Sequence, residues 1–331
     1  MNWFFYLLLS LCLGATGAWS VIKIGANYGL MDLPGYRSSH SRPTPKGGGI
    51  GILLAFITVS LLNAIPINFW IPATIISLTG LIGDRVELSK SSRLVVQFAC
   101  ALIVLVAGNH FFVSVAFHPL LKVVIGGLFL VGTANFFNFM DGINGIAGIS
   151  AIVGFGLLAV YGAMQGIPTK FIVLDLCIVF ACIGFLPFNI PNASVFMGDV
   201  GSVFLGFIFA TMVWESNTTL LGVLCCSAFF FLIYADAATT FAIRFAEGDP
   251  ILVAHRRHLC QILVNEFGLP HWKVSIGYGI IQVFIGIIAI VLQNFGMAAL
   301  ITGMTVMGIL FIFISVILHR KADQMPSTGS L

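Results

Sequence analysis

Residues 196–214 read FMGDVGSVFLGFIFATMVW, in which one acid, Asp199, stands at the head of an apolar run that continues from 200 to 214. With its flanks, such a run suits a helix crossing hydrocarbon, and a charge is tolerated only where it breaks. Two further acids occupy the same kind of place: Asp84 closes the run 69–82, and Asp141 separates the runs 119–137 and 142–161. Carboxylates gathered at such breaks suit a hard cation, whose charge offsets the cost of bringing acids together.

The composition agrees. With 59% hydrophobic and 8% charged residues among 331, the chain has too little polar material to coat a soluble globule. Eleven candidate spans follow, at 3–22, 48–67, 69–82, 94–107, 119–137, 142–161, 171–187, 200–214, 220–243, 274–292 and 297–318. The expected fold is therefore an all-α integral membrane protein, a polytopic bundle of about eleven transmembrane helices. Lys23 follows the first run and nothing basic precedes it, which favours an uncleaved anchor with its N-terminus outside. In that orientation only Lys122 and Lys170 of the fifteen basic residues face outward, as the positive-inside tendency requires, and the C-terminus is cytoplasmic. One membrane domain, 1–321, is expected to precede a disordered tail, 322–331. Six of the seven cysteines fall in apolar stretches and read as small buried hydrophobes.

Five segments on the inner side carry the candidate chemistry. In SSHSRPTPKGGG, 38–49, prolines extend the backbone and three glycines permit close approach, so backbone amides, Arg42 and Lys46 could meet a phosphate; a basic stop signal is the alternative. GDRVELSKSSR, 83–93, offers Asp84 as an acid and Arg85 as a phosphate ligand, against a helix cap and surface ion pair. In NFFNFMDGINGIAG, 135–148, Asn135, Asn138 and Asp141 drift slowly round one helix face, lining a cavity or bonding helix to helix. NIPNASVFMGDVGS, 189–202, places Asn189 upstream of Asp199 between two glycines, which favours a metal and pyrophosphate site over a plain cap. AHRRHLCQIL, 254–263, clusters His255, Arg256, Arg257 and His258 as donors for phosphoryl or sugar oxygens, where a solvated basic loop is the bland reading. The apolar stretch 259–264 is expected to form a short helix at the membrane interface.

Taken in this order and on one side, NFFNFMDG, FMGDVGS and HRRH resemble the polyprenyl-phosphate N-acetylhexosamine-1-phosphate transferases, bacterial glycosyltransferase family 4. SSHSRPTPKGGG, with DAATTFAIR running into AHRRHLCQ, is most similar to the branch that starts O-antigen or other surface-glycan synthesis. The resemblance implies that a lipid phosphate attacks the sugar-linked phosphorus of a UDP-sugar and UMP leaves, with Mg²⁺, or Mn²⁺ in its place, spreading the developing charge. It implies Asp199 and Asp141 as metal-site acids, Asp84 as the acid orienting the lipid phosphate, Phe196 stacking on uracil, and Asn189 touching the nucleotide. The basic cluster would bind phosphate or sugar, with His255 and His258 in the catalytic set. Implied partners are a UDP-N-acetylated sugar, undecaprenyl phosphate and membrane lipid, not nucleic acid, with a homodimer among the assemblies open to it; the implied location is the bacterial inner membrane, with the site cytoplasmic.

Two departures stand out. Relatives usually carry two adjacent acids where this chain has Gly83 and Asp84, and some carry an acid at Asn144. Asp236 shares a helix face with Thr240 and Arg244 and is expected to face the cavity, while Asp175 is expected to pair with Lys170. A transporter of a phosphorylated metabolite and a catalytically silent homologue binding UDP-sugar or lipid are the competing readings.

Overall fold

The computed structural model describes residues 3–35, 42–86, 88–108, 118–248 and 257–324. Thirteen α-helices lie among them: α1 (Trp3–Ile24), α2 (Ile50–Leu62), α3 (Ile67–Arg85), α4 (Lys90–Ala107), α5 (Pro119–Met140), α6 (Ile146–Gln165), α7 (Thr169–Phe185), α8 (Asp199–Ser216), α9 (Leu220–Ser227), α10 (Phe231–Glu247), α11 (Leu259–Asn265), α12 (His271–Leu292) and α13 (Met297–Asp323). A two-stranded antiparallel ribbon pairs Met31–Asp32 with Thr44–Pro45. Joined through a single 3₁₀ turn at Ala228–Phe230, α9 and α10 form one span, so ten helical segments among the described residues are long and apolar enough to cross a membrane. The protein is an all-α polytopic membrane protein.

The second expected span, 48–67, holds a shorter helix than the sequence suggests: α2 has 13 residues, because Asn63 folds back to donate to the Val59 carbonyl (2.9 Å) and Ala64 takes a left-handed φ of 48° just ahead of Pro66. At the other end, α13 continues through Asp323, beyond the expected boundary at 321, and 325–331 lie outside the described residues.

Helix α8 is the axis of the bundle, buried along nearly its whole length from Val200 to Trp214. Helices α2, α3, α5 and α6 pack round it, and small residues set the closest crossings. A Cβ on Gly49 would lie 2.4 Å from the Gly201 Cα, and one on Gly206 2.7 Å from the Thr133 carbonyl oxygen, so α2 and α5 touch α8 backbone to backbone. Above these contacts Phe209 stacks on Phe230 at 3.6 Å between ring centroids, with Phe137 and Phe155 against the same pair.

Asp236 does not face the cavity. Wholly buried in α10, it accepts hydrogen bonds from the backbone N–H groups of Leu259 (2.8 Å) and Cys260 (3.3 Å) and from the Tyr278 hydroxyl (2.8 Å), holding the start of α11. The short helix expected at 259–264 forms, with Leu259, Cys260, Gln261, Ile262 and Val264 buried against its neighbours. Asp236→Ala would strand two backbone donors and a phenol, and should cost about 3 kcal/mol. The measurement is the thermal unfolding midpoint in detergent, and an unchanged midpoint would refute the capping role. Asp175 is likewise not paired with Lys170: it is buried in α7 with one carboxylate oxygen lacking a hydrogen-bond partner, while the Lys170 ammonium sits over the Phe171 ring at 5.4 Å.

Candidate active site

The last turn of α3, the end of α5 and the first turn of α8 open onto one cavity of about 380 Å³, and each brings an acid: Asp84, Asp141 and Asp199. Lys46, Asn138, Asn189 and Phe196 line the same cavity.

Asp84 is bound to α8. Its two carboxylate oxygens accept the backbone N–H groups of Asp199 and Val200, each at 3.2 Å, so that an acid from α3 caps the N-terminus of α8. The Ser77 hydroxyl, two turns earlier on α3, donates to the Val200 carbonyl at 2.6 Å and fixes the same crossing. Asp199 is therefore freed from capping. One of its oxygens accepts from the Asn138 amide (2.8 Å), which also donates to the Ser202 hydroxyl (2.8 Å), and the other pairs with the Arg93 guanidinium. Asp141 follows the last residue of α5, and burial, reinforced by the negative charges of Asp199 and Asp84, pushes its carboxyl up to about 7. Three acids thus raise one another's cost, and a cation at this place would lower it.

The donors are hard oxygens, as Mg²⁺ and Mn²⁺ prefer. Among the described residues, no three His, Cys, Asp or Glu side chains converge closely enough to enclose an ion. An ion here would be held by one or two carboxylates, with substrate phosphate oxygens completing its shell.

The glycine run Gly47–Gly49 has a different purpose from the expected phosphate cradle. The amides of Gly47 and Gly48 both donate to the Phe196 carbonyl (3.2 and 2.9 Å) and that of Gly49 donates to the Met197 carbonyl (2.9 Å), while Phe196 donates back to Pro45 (2.8 Å). With its amides spent in this way, the segment serves to bolt Lys46 beside Phe196. Gly198, at φ +74°, is needed because a Cβ there would meet the Asp84 carboxylate at 2.6 Å and the Gly47 nitrogen at 2.7 Å.

The family model for glycosyl transferase family 4 matches residues 66–217, from the turn before α3 to the end of α8, and so takes in all three acids. Over 319 residues the chain is 28% identical to the probable undecaprenyl-phosphate N-acetylglucosaminyl 1-phosphate transferase of Bacillus subtilis, covering 90% of this chain and 86% of that protein. It is also 29% identical over 258 residues to the phospho-N-acetylmuramoyl-pentapeptide-transferase of Staphylococcus saprophyticus (70% of this chain, 78% of that one), and 34% identical over 197 residues to the same enzyme of Staphylococcus aureus (51% and 61%). The family model and these relatives together support the polyprenyl-phosphate hexosamine-1-phosphate transferases of glycosyl transferase family 4 as the family this chain resembles.

Not every residue picked from the sequence reaches the family's candidate site. Asn135 donates to Gln97 and to the Val131 carbonyl, both at 2.7 Å, and ties α5 to α4 instead of lining the cavity. Arg42 and Arg85 are exposed outside it. His255 and Arg256 lie outside the described residues. Arg257 is drawn to Glu247 and Asp323, bracing the ends of α10 and α13, and His258 is buried with its Nδ1 3.6 Å from Asp236. Among the described residues of this segment, Gln261 lines the cavity, and its amide packs where Gly142 has no side chain.

The guanidinium that reaches an acid of the site is Arg93, paired with Asp199. A Cβ at Gly83 would stand 2.6 Å from its Nη2, so Arg93 fills the space beside Gly83. Asp32, Asn144 and His271 also line the cavity. Sequence reasoning missed Arg93 because it lies in the same short segment as Arg85, and only the path of the turn between α3 and α4 distinguishes them. Arg85→Ala should change turnover by about twofold at most, as for an ordinary surface substitution; a loss beyond tenfold would place Arg85 in the chemistry after all.

Proposed function

We propose that the protein transfers an N-acetylhexosamine 1-phosphate, or a related N-acetylated sugar phosphate, from a UDP-sugar to undecaprenyl phosphate, releasing UMP, and so starts O-antigen or another surface glycan. The observation that carries this reading is the meeting of Asp84, Asp141 and Asp199 with Lys46 and Phe196 in one cavity at the ends of three helices. The B. subtilis relative's description supports the lipid and sugar classes. A site at helix ends is reached from the membrane surface, which speaks against a transporter whose acids would cluster at mid-bilayer. Thirteen of fifteen basic residues fall on the inner side in the expected orientation, which supports a cytoplasmic site in the bacterial inner membrane.

Asp199 and Asp141 would hold Mg²⁺, or Mn²⁺, which when bound supplies charge neutralisation at the transferring phosphoryl group. The chain's own residues do the rest. Phe196 offers a ring for the uracil, and Asn189, whose amide is committed to the Val195 carbonyl (2.9 Å) and the Gly145 N–H (2.6 Å), shapes the wall beside it. Lys46 and Arg93 provide cationic charge for the phosphates. The lipid phosphate is already largely ionised at neutral pH, so its oxygen can attack without a strong base, and Asp84 contributes by setting Asp199 in line through the cap on α8.

Purified protein given Mg²⁺, UDP-N-acetylhexosamine, undecaprenyl phosphate and labelled UMP should exchange label into the UDP-sugar. Absence of exchange across a panel of UDP-sugars, with UDP-sugar binding retained, would instead mark the silent homologue, for which the Arg93–Asp199 pair beside Gly83 is the one favouring observation.

A further inference from the structure

The turn from Asp141 to Gly145, between α5 and α6, has no regular secondary structure, yet it must hold an acid in place at the cavity wall. Its backbone is gripped from outside. The Asn144 N–H donates to Nδ1 of His271 (3.1 Å), the Asn144 carbonyl accepts from the Ser275 hydroxyl (2.8 Å), and the Gly145 N–H donates to Asn189. His271 and Ser275 stand one turn apart on α12 and so present their polar atoms on one face. Gly145 takes φ +88°, and a Cβ there would meet Ile190 at 2.5 Å, so the turn can approach its supports only as glycine. Because Nδ1 of His271 accepts, its ring proton sits on Nε2.

We propose that His271 and Ser275 are positioning residues for the donor half of the site, clamping the 141–145 turn so that Asp141 stays opposite Asp199. The clamp lies on α12, outside the residues that the family model matches, and makes the C-terminal helices part of the acid site. For its kinetic consequence the inference rests on the transferase reading. Loosening the turn moves Asp141 and the wall that meets the UDP-sugar while leaving Lys46, Arg93 and the α8 cap where they are. The KM for UDP-sugar should therefore rise while the KM for polyprenyl phosphate holds.

Three variants test it. In His271→Asn the Oδ1 atom replaces Nδ1 as acceptor for the Asn144 N–H; His271→Ala and Ser275→Ala remove their bonds. By hydrogen–deuterium exchange of the full-length protein in nanodiscs, His271→Ala should speed exchange at the Asn144 amide by about tenfold, with His271→Asn close to wild type. In the UMP exchange assay His271→Ala and Ser275→Ala should each raise the KM for UDP-sugar by about tenfold, and His271→Asn should restore it. Exchange as fast in His271→Asn as in His271→Ala, or a rise in both KM values together, would overturn the clamp. A wild-type protein with no UMP exchange would sink the transferase reading alone, and the amide exchange would still decide this one.

Discussion

Asp199→Asn should lower UMP exchange by about a thousandfold while leaving the folded protein intact. The substitution keeps the shape of the side chain, and the α8 cap is untouched because it is made by the Asp84 carboxylate to backbone N–H groups. What disappears is the negative charge that meets Arg93 on one side and Asn138 on the other. The asparagine amide would turn its NH₂ toward one of these donors, so the site loses an acceptor as well as a charge. If Asp199 also holds the divalent ion, Mn²⁺ binding followed by electron paramagnetic resonance should fall in parallel with exchange. Full exchange in Asp199→Asn would refute the assignment; loss of exchange with unchanged Mn²⁺ binding would transfer the metal role to Asp141 and leave Asp199 as an anchor for Arg93.

The three acids were legible in the sequence because hydrocarbon makes charge expensive: an acid at the edge of an apolar run marks both a helix end and a candidate site, whereas one within a run, such as Asp175 or Asp236, is buried in protein. The partners of those acids were not legible. Asp84 read first as a chemical group, with a helix cap as the alternative, and it caps a helix that starts 115 residues later in the chain. Arg85 and Arg93 have the same residue type in the same segment, and the direction of α4 decides which one pairs with Asp199. The glycine run announced close approach, yet what it approaches, the 196–201 segment, is set by tertiary packing. Gln261 was hidden for a simpler reason. Within LCQILVN it is an amide flanked by apolar neighbours, and the Asp236 cap on the start of α11 helps set the helix that carries it to the cavity.

Gly80→Ala tests how tightly the fold holds the site, and its effect should be large. A Cβ at Gly80 would stand 2.6 Å from both the backbone carbon and the carbonyl oxygen of Asp199 and 2.8 Å from the Val200 nitrogen, all of them backbone atoms that cannot rotate away. One turn along α3 from Gly80, Asp84 holds those same two residues through its cap. Adding a methyl group must therefore push α3 off α8, lengthening the cap and the Ser77 bond to Val200 together. Overpacking of this kind costs about 1–3 kcal/mol, and a displacement of Asp199 by even a fraction of its bond lengths to Asn138 and Arg93 should reduce UMP exchange by about a hundredfold. Gly132→Ala in α5 is the control, since a Cβ there meets nothing within 4 Å and helix propensity alone favours alanine. Equal activity in the two variants would mean that α3 and α8 can slide without disturbing Asp199, and the cap would then be no part of how this protein aligns its acids.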